Sequence, residues 1–365
     1  MKVRGAGLAE GAAALPMDVP QTSPNAVPLS VLDTAPVGVA QTSADALSAT
    51  TRLAQVADAL GYARFWVAEH HSMPAVASTS PGVLIAHLAA ATERIHVGSG
   101  GVMLPNHPSL VVAEQFAMLE ALHPGRVDLG IGRAPGADPT TAAALRRTVE
   151  GLGAEDFPAE LVDVLALLGV ELTGRAPSVR AARLSATPAA SSSPEVWLLG
   201  SSLFSAQLAA ELGLPFSYAH HFNTGLTDRA ADVYRRAFRP STVLDRPRFM
   251  VSASVLVADT QQEAEFLAGP SKVMSLSLRS GRLIPIVPPE EAAEVLAGLD
   301  PAVAADVFAR MPGTQIATTP DRAVAELRAL VERTGADELM VTGTAYDVET
   351  REHTLRELAT RWYAA

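Results

Sequence analysis

Residues 64–101, RFWVAEHHSMPAVASTSPGVLIAHLAAATERIHVGSGG, contain two short apolar segments separated by a helical pattern. The two segments, residues 64–68 and 95–98, have the length and the character of buried strands. Residues 81–91, which lie between them, are apolar enough for a packed helix. A strand, a helix and a second strand in this order indicate parallel strands that are joined by a helical crossover.

The same alternation continues over the rest of the chain. The strand candidates are residues 27–33, 64–68, 95–98, 127–131, 196–199, 216–219, 249–257 and 338–342. Helical patterns between them include residues 46–60, 108–122, 202–212, 228–238 and 350–363. Eight strand–helix units are the number that closes a barrel, so the sequence predicts an α/β protein with a (β/α)8 TIM barrel.

Three segments fall outside the plain repeat. Residues 1–27 have no periodicity and several prolines, and we predict a flexible N-terminal extension before a barrel of residues 28–365. Residues 174–194 are rich in Ala, Ser and Pro, which predicts a mobile connection. Residues 281–289 form a stiff loop within a long insertion between strands 7 and 8, a position typical of lids and substrate walls.

Composition excludes several classes of protein. The chain has 365 residues, of which 28 are Lys or Arg and 39 are Asp or Glu, a formal net charge of −11. This balance disfavours nucleic acid and anionic membrane surfaces as partners. The absence of cysteine excludes disulfides, thiolate nucleophiles and Cys-ligated metals. No apolar run approaches the roughly 18 residues of a membrane helix, and we predict a cytoplasmic enzyme.

Polar residues follow the strand candidates, at the barrel end where chemistry takes place in this fold. Glu69, His70 and His71 follow the second strand. Adjacent side chains at a strand end point to opposite sides, so we expect one histidine to face the barrel mouth. A neutral imidazole suits general acid–base catalysis, and Glu69 is placed to raise its pKa or fix its tautomer. The structural alternative is two histidines satisfied by their neighbours.

A metal centre is a rival interpretation of the same residues. His70, His107, His220 and Glu69 would offer imidazole and carboxylate ligands to zinc or iron. No HxH or HExxH spacing accompanies them, and we therefore predict no metal.

An anion site is predicted where the fifth strand meets the next helix. Ser201 and Ser202 open this helix and Ser205 follows one turn later, which suits a phosphate. Arg133, after the fourth strand, can bind the same anion bidentately. An ordinary helix cap and a surface ion pair are the structural alternatives.

The glycines have two interpretations as well. Gly98, Gly100 and Gly101 either leave backbone free for a flat ring or mark a bulge. Gly130, Gly132 and Gly136 have the spacing GxGxxxG, which does not match the dinucleotide-binding fingerprint.

Together these stretches resemble the luciferase-like flavin monooxygenase superfamily. The resemblance extends from about residue 28 to the C-terminus and is densest between residues 64 and 136. It is carried by FWVAEHH (65–71), GSGGVMLPNH (98–107), AEQF (113–116), HPGRVDLGIGRAPG (123–136), LGSS (199–202) and LGLP (212–215).

The resemblance implies a (β/α)8 barrel that binds reduced FMN (FMNH2) delivered by a separate NAD(P)H:flavin reductase. Reaction with O2 would give a C4a-(hydro)peroxyflavin, which oxygenates the substrate. Carried over residue by residue, Arg133, Ser201, Ser202 and Ser205 would hold the phosphate. Gly100 and Gly101 would back the ring, where relatives often have a non-prolyl cis peptide. His70 would be the acid–base residue, supported by Glu69, and a homodimer would form through helices two and three, residues 81–91 and 108–122.

Departures from the family limit what is implied. Bacterial luciferase has a reactive cysteine where this chain has Gly132, and a glutamate where it has Ser201, so light emission is not implied. His107, His220, His221 and Phe222, with residues 281–289, are the expected substrate wall. This wall predicts a neutral, largely apolar substrate, such as an aromatic polyketide of secondary metabolism. The alternatives are an F420-dependent hydride-transfer enzyme and a non-catalytic flavin-binding protein.

Overall fold

The computed structural model describes residues 26–134, 139–145, 155–172, 174–300 and 315–364. The strands are β1 (Leu29–Asp33), β2 (Arg64–Val67), β3 (His96–Met103), β4 (Val127–Gly132), β5 (Glu195–Gly200), β6 (Phe216–Tyr218), β7 (Phe249–Val257), β8 (Gln315–Thr318) and β9 (Glu338–Thr342). The helices are α1 (Ser43–Ala59), α2 (Pro81–Ala91), α3 (Ser109–Leu122), α4 (Pro139–Ala144), α5 (Phe157–Leu167), α6 (Leu203–Leu212), α7 (Thr227–Ala237), α8 (Gln261–Leu267), α9 (Gly269–Ser280), α10 (Pro289–Ala297), α11 (Pro320–Thr334) and α12 (Val348–Tyr363). Residues 1–25 of the expected extension lie outside the described residues.

Eight of these strands close into a parallel barrel, which confirms the predicted TIM-barrel class. β1 to β7 pair in chain order, β7 pairs with β9, and β9 returns to β1. β8 is an additional strand, not predicted from the sequence, which pairs with residues 254–257 of β7. Its four residues are mostly half-exposed, so they lack the apolar signal of the buried strands. No helix among the described residues is long and apolar enough to cross a membrane.

Strand β3 continues through the glycine run, whereas the sequence analysis ended this strand at Gly98. A Cβ atom on Gly98 would lie 2.6 Å from Cβ and the backbone oxygen of Asp128 on β4. Only glycine fits this close approach, although glycine weakens the intrinsic strand signal. The register shifts between Gly100 and Val102, as expected for the predicted bulge.

Large side chains fill the centre of the barrel. Trp66, Trp197, Met250 and Met340 form one buried cluster, and the two indole rings lie 5.6 Å apart at 72°. The barrel is therefore a packed core rather than a channel. A ligand must bind above this layer, at the rim formed by the C-terminal strand ends.

An ionic cluster occupies the opposite, N-terminal end of the barrel. Nη1 of Arg64 lies 2.6 Å from Asp128 and 2.7 Å from Glu195, and Nε lies 3.0 Å from Glu338. Burial raises the pKa of Asp128, but Arg64 and His96 outweigh this effect and hold the pKa below its ordinary value. Polar residues at this end of a TIM barrel serve stability rather than chemistry.

The long insertion between β7 and the last barrel strand contains α8 to α10, β8 and α11. Within it, the N–H of Ile286 donates to the carbonyl oxygen of Val37 at 2.9 Å. The N–H of Val39 donates in turn to the carbonyl oxygen of Ile286 at 2.7 Å. The predicted loop of residues 281–289 is thus attached to the connection that follows β1.

Candidate active site

The parallel strands bring the predicted site residues to one rim of the barrel. The residues at this rim are Glu69, His70 and His71 after β2, residues 103–107 at the end of β3, Arg133 after β4, Ser201 and Ser202 after β5, and His220, His221 and Phe222 after β6. All strand ends of a closed parallel barrel surround a single opening. The rim therefore holds the candidate active site.

Glu69 is fully buried and joins the ends of β2 and β3. Its Oε1 accepts hydrogen bonds from Nε2 of His71 and Nε2 of His107, both at 2.9 Å, and from Asn106 at 2.8 Å. Its Oε2 accepts the backbone N–H of Met103 at 2.9 Å. The hydrogen bonds of Glu69 thus go to His71 and His107. Glu69 acts on His70 through its charge, which raises the pKa of that imidazole as the sequence analysis expected.

The charge of Glu69 fixes the tautomers of its partners. Burial raises the pKa of Glu69, but the hydrogen bond and charge of His107, with the bonds from His71 and Asn106, lower it below its ordinary value. An ionised carboxylate only accepts hydrogen bonds, so Nε2 carries a proton in both His71 and His107.

His70 has an unsatisfied polar atom. Its Nδ1 is buried and forms no hydrogen bond with any described residue, while its backbone N–H donates to Ser78 at 3.1 Å. Burial lowers the pKa of His70, and the charge of Glu69 opposes this effect only in part. The imidazole is therefore neutral at neutral pH. A buried polar atom without a partner costs free energy, which a bound molecule can recover.

The N-terminus of α6 has the arrangement predicted for an anion site. Ser202 is the N-cap residue, and its Oγ accepts the N–H of Ser205 at 3.4 Å and lies 3.3 Å from the Ser205 hydroxyl. The Ser201 carbonyl oxygen accepts hydrogen bonds from Tyr218 and Asn223. Ser202 is thus also the ordinary helix cap of the structural alternative, and its anion role stays a prediction.

Arg133 lies against the start of the same helix. Its guanidinium carbon is 4.3 Å from the ring centre of Phe204, the second residue of α6. This contact is a cation–π interaction, which orients the planar guanidinium near the helix N-terminus. The positive charge therefore lies beside the second residue of α6, and its role toward an anion stays a prediction.

Gly100 and Gly101 are joined by a cis peptide bond, as the family resemblance implies. A Cβ atom on Gly100 would lie 2.6 Å from the Leu32 side chain, and one on Gly101 would lie 2.8 Å from the Gly130 carbonyl oxygen. Packing inside the barrel thus requires glycine at both positions. Contact with a flat ring stays a prediction.

The residues after β6 face different partners. Nδ1 of His221 lies 2.9 Å from the Ser252 hydroxyl, whereas Nδ1 of His220 lies 2.6 Å from the Thr227 hydroxyl at the start of α7. Phe222 is 59 % exposed, and its ring centre lies 4.3 Å from that of His221. His107 and His220 thus form hydrogen bonds to Glu69 and Thr227, and the substrate wall stays a prediction.

Among the described residues, the structure contains one group that could bind a metal ion, and it differs from the group considered in the sequence analysis. That group is His96, Asp128 and Glu195. It lies at the N-terminal end of the barrel, where Arg64 pairs with both carboxylates.

Three residues with a place in this site were missed. Asn106 contacts Glu69, Phe204 contacts Arg133, and Ser252 contacts His221. Asn106 lies within GSGGVMLPNH and Phe204 directly follows LGSS, so their positions beside motifs were the available signal. Ser252 lies inside an apolar strand and has no such signal.

Comparison with known proteins gives consistent matches over most of the chain. The family model described as luciferase-like monooxygenase matches residues 27–338. A luciferase-like monooxygenase of Escherichia coli strain K12 is 40 % identical over 338 residues, covering 91 % of this chain and 96 % of that protein. An N-acetyl-S-alkylcysteine monooxygenase of Bacillus subtilis is 36 % identical over 265 residues, covering 72 % and 78 %. The crystal structure of apo-MsnO8 has a TM-score of 0.83 and 36 % identity, covering 92 % and 98 %.

Proposed function

The chain belongs to the luciferase-like monooxygenase family, and from this premise we propose that it is an FMNH2-dependent monooxygenase. It would insert one oxygen atom of O2 into a small, largely apolar organic substrate. The observation that carries this proposal is the buried, unpartnered Nδ1 of His70 at the rim that also holds the α6 N-terminus. The His70 imidazole and the anion site at α6 lie at the same end of the barrel, so a cofactor with a phosphate group could bind at α6 and react near His70.

FMN would be held through its phosphate and its ring. Arg133, Ser201, Ser202 and Ser205 combine a permanent positive charge, hydroxyl groups and a helix N-terminus, a set that fits a phosphate dianion. The Gly100–Gly101 peptide would offer the ring a surface without side chains. These residues fit FMN, and the helix N-terminus provides part of the charge stabilisation.

The flavin would supply the redox chemistry, and the chain would control protons and water. When bound, reduced flavin would supply two electrons and two protons, and the substrate the other two electrons, so that one atom of O2 enters the substrate and the other leaves as water. His70, neutral at neutral pH, would transfer a proton at Nδ1. Glu69 would act as a positioning residue that holds the strand ends carrying His70 and the Gly100–Gly101 peptide.

We propose a neutral, largely apolar substrate because of the residues that follow β6. His221 is neutral and Phe222 presents an exposed ring. An aromatic polyketide of secondary metabolism fits this surface. The Bacillus subtilis relative is named as a monooxygenase of N-acetyl-S-alkylcysteine, which is a thioether. A thioether is therefore a second compound to test.

The proposed reaction also needs a supply of reduced flavin. We propose a separate NAD(P)H:flavin reductase as the partner and the cytoplasm, where NAD(P)H is available, as the location. Transfer of FMNH2 between two proteins requires only that the flavin site be open at the barrel rim.

Anaerobic loading with FMNH2, followed by rapid mixing with O2, tests the proposed function. We expect a transient absorbance of a C4a-(hydro)peroxyflavin before oxidised flavin appears, and 18O from 18O2 in the product of an accepted substrate. Oxidation at the rate of free FMNH2, or tight binding of F420 in place of FMN, would contradict the proposal.

Replacing Arg133 with alanine is expected to weaken FMN binding by about 10- to 100-fold, since a charge-assisted phosphate contact is lost. Riboflavin lacks the phosphate, so its affinity should change little. Fluorescence titration of both flavins measures the difference. Arg229→Ala, at an exposed position of α7, is the matched control and should leave both affinities unchanged.

A homodimer through α2 and α3 is a further part of the proposal. Val83 on α2 is 74 % exposed, and Met118 and Leu122 on α3 are 52 % and 62 % exposed, although all three are apolar. We expect the double substitution Met118→Glu and Leu122→Glu to raise the dimer dissociation constant about 30-fold or more. Sedimentation equilibrium measures this change.

Val295 on α10 supplies the control for the dimer, because it is apolar and 41 % exposed on a different element. Val295→Glu should leave the dissociation constant unchanged. A wild-type protein that sediments as a monomer at all concentrations would refute the dimer.

A further inference from the structure

His221 is held at the mouth of the barrel by a residue of the barrel interior. Ser252 lies two positions after Met250 on β7, and Met250 belongs to the central cluster with Trp66 and Trp197. Because strand side chains alternate, Ser252 also points inward, one layer closer to the rim. Its hydroxyl lies 2.9 Å from Nδ1 of His221, so the imidazole lies on the inner side of the rim.

The hydrogen bonds of Ser252 indicate the tautomer of His221. The Ser252 hydroxyl donates its single proton to the carbonyl oxygen of Tyr218 at 3.1 Å. The same oxygen must then accept a hydrogen bond from His221, so Nδ1 of His221 carries the proton. In a neutral imidazole the other nitrogen, Nε2, is then an acceptor.

The surroundings keep this imidazole neutral and oriented. Burial lowers the pKa of His221 to about 4, although a hydrogen bond from the imidazole to the backbone carbonyl of Ser252 opposes this effect. The backbone N–H of His221 also donates to the Ser252 carbonyl oxygen at 3.1 Å, and the ring of Phe222 packs against the imidazole. Nε2 forms no hydrogen bond with the described residues, so its lone pair is available to a ligand.

We propose that Nε2 of His221 accepts a hydrogen bond from a hydroxyl group of the substrate, which makes the substrate a neutral phenol. The inference rests on the proposed function for the position of the substrate at this rim. The exposed ring of Phe222 supplies an aromatic surface beside the acceptor. A phenol combines the donor that Nε2 requires with the apolar ring that Phe222 can contact. His221 is thus a specificity-determining residue.

Nitrogen-15 NMR tests the tautomer directly. The chain has nine histidines, and His221→Phe identifies the signals of His221 by their disappearance. At pH 7 we expect the Nδ1–H pattern in the wild type and a shift toward the Nε2–H pattern in Ser252→Ala, which lacks the acceptor. A wild-type signal with the Nε2–H pattern would overturn the proposal.

Binding of 2-naphthol and 2-methoxynaphthalene tests the recognised group. The ether keeps the rings but lacks the donor, so the wild type should favour 2-naphthol by about fivefold to tenfold, and His221→Phe should remove this preference. His123→Phe should keep it, because His123 lies between the end of α3 and the start of β4, at the N-terminal end of the barrel. If His221→Phe does not fold, Ser252→Ala must lower the preference instead.

Besides the NMR result, two binding results would overturn the inference. They are an unchanged preference in His221→Phe, and no binding of 2-naphthol by the wild type up to its solubility limit. Both measurements use protein without added flavin. The NMR and binding results can therefore be interpreted even if the FMNH2 and O2 experiment fails. Conversely, an unchanged preference for 2-naphthol in His221→Phe would not contradict the monooxygenase proposal.

Discussion

Replacing Arg64 with alanine is expected to lower the free energy of unfolding by about 3–5 kcal/mol. Arg64 is buried and pairs with Asp128, Glu195 and Glu338 at the closed end of the barrel. Without its charge, only Arg248 and His96 remain beside these carboxylates. Their mutual repulsion and the desolvation of the buried Asp128 and Glu338 are then offset only in part. Urea unfolding followed by circular dichroism measures the change.

Arg236→Ala is the control for Arg64, because it removes an arginine whose ion pair is exposed. Arg236 lies 3.5 Å from Asp232 on the surface of α7, and its side chain is 82 % exposed. Such a pair contributes at most about 1 kcal/mol. A loss of less than about 1 kcal/mol in Arg64→Ala would contradict the buried cluster described above.

Replacing His70 with alanine is expected to reduce product formation by about 100- to 10,000-fold, the usual contribution of general acid–base catalysis. The affinity for oxidised FMN should stay within about twofold, since the proposed phosphate contacts lie at the start of α6 and directly after β4. Product labelled from 18O2 measures the first effect, and fluorescence titration measures the second.

The pH profile separates a catalytic His70 from a structural one. Burial lowers the pKa of His70, so the neutral imidazole should persist below pH 6.5, the ordinary value for histidine. The rate should fall only at more acidic pH, and this acidic limb should disappear in His70→Ala. His71→Gln, which can still donate to Glu69, should lower the rate less than about tenfold. An equal loss in both variants would refute the assigned role.

Much of the fold was predictable because its signal is local. Every barrel strand was predicted, since each is a short apolar segment between helical patterns. Two strands were missed or misplaced. β8 is half-exposed and has little apolar character, and β3 continues through glycines that look like the end of a strand. In both cases the neighbouring strands provide the hydrogen bonds that stabilise a segment with weak strand propensity.

The candidate site was predictable as a set of positions but not as a set of contacts. The sequence analysis paired Glu69 with His70, its neighbour in the chain. In the folded barrel Glu69 instead bonds to His107, 38 residues away, and to His71. Once strands β2 and β3 lie side by side, the turn that follows β3 fills the space around the carboxylate.

The sequence by itself determined the barrel, the rim residues and the family, because strand and helix periodicity and short motifs are properties of neighbouring residues. Only the tertiary structure decided which atoms face each other. It left Nδ1 of His70 without a partner among the described residues, placed Arg133 on Phe204, and joined His221 to Ser252, 31 residues further along the chain. The physical reason is that hydrogen bonds and ring contacts require atoms to lie within a few ångströms. Between distant residues, closure of the barrel sets these distances.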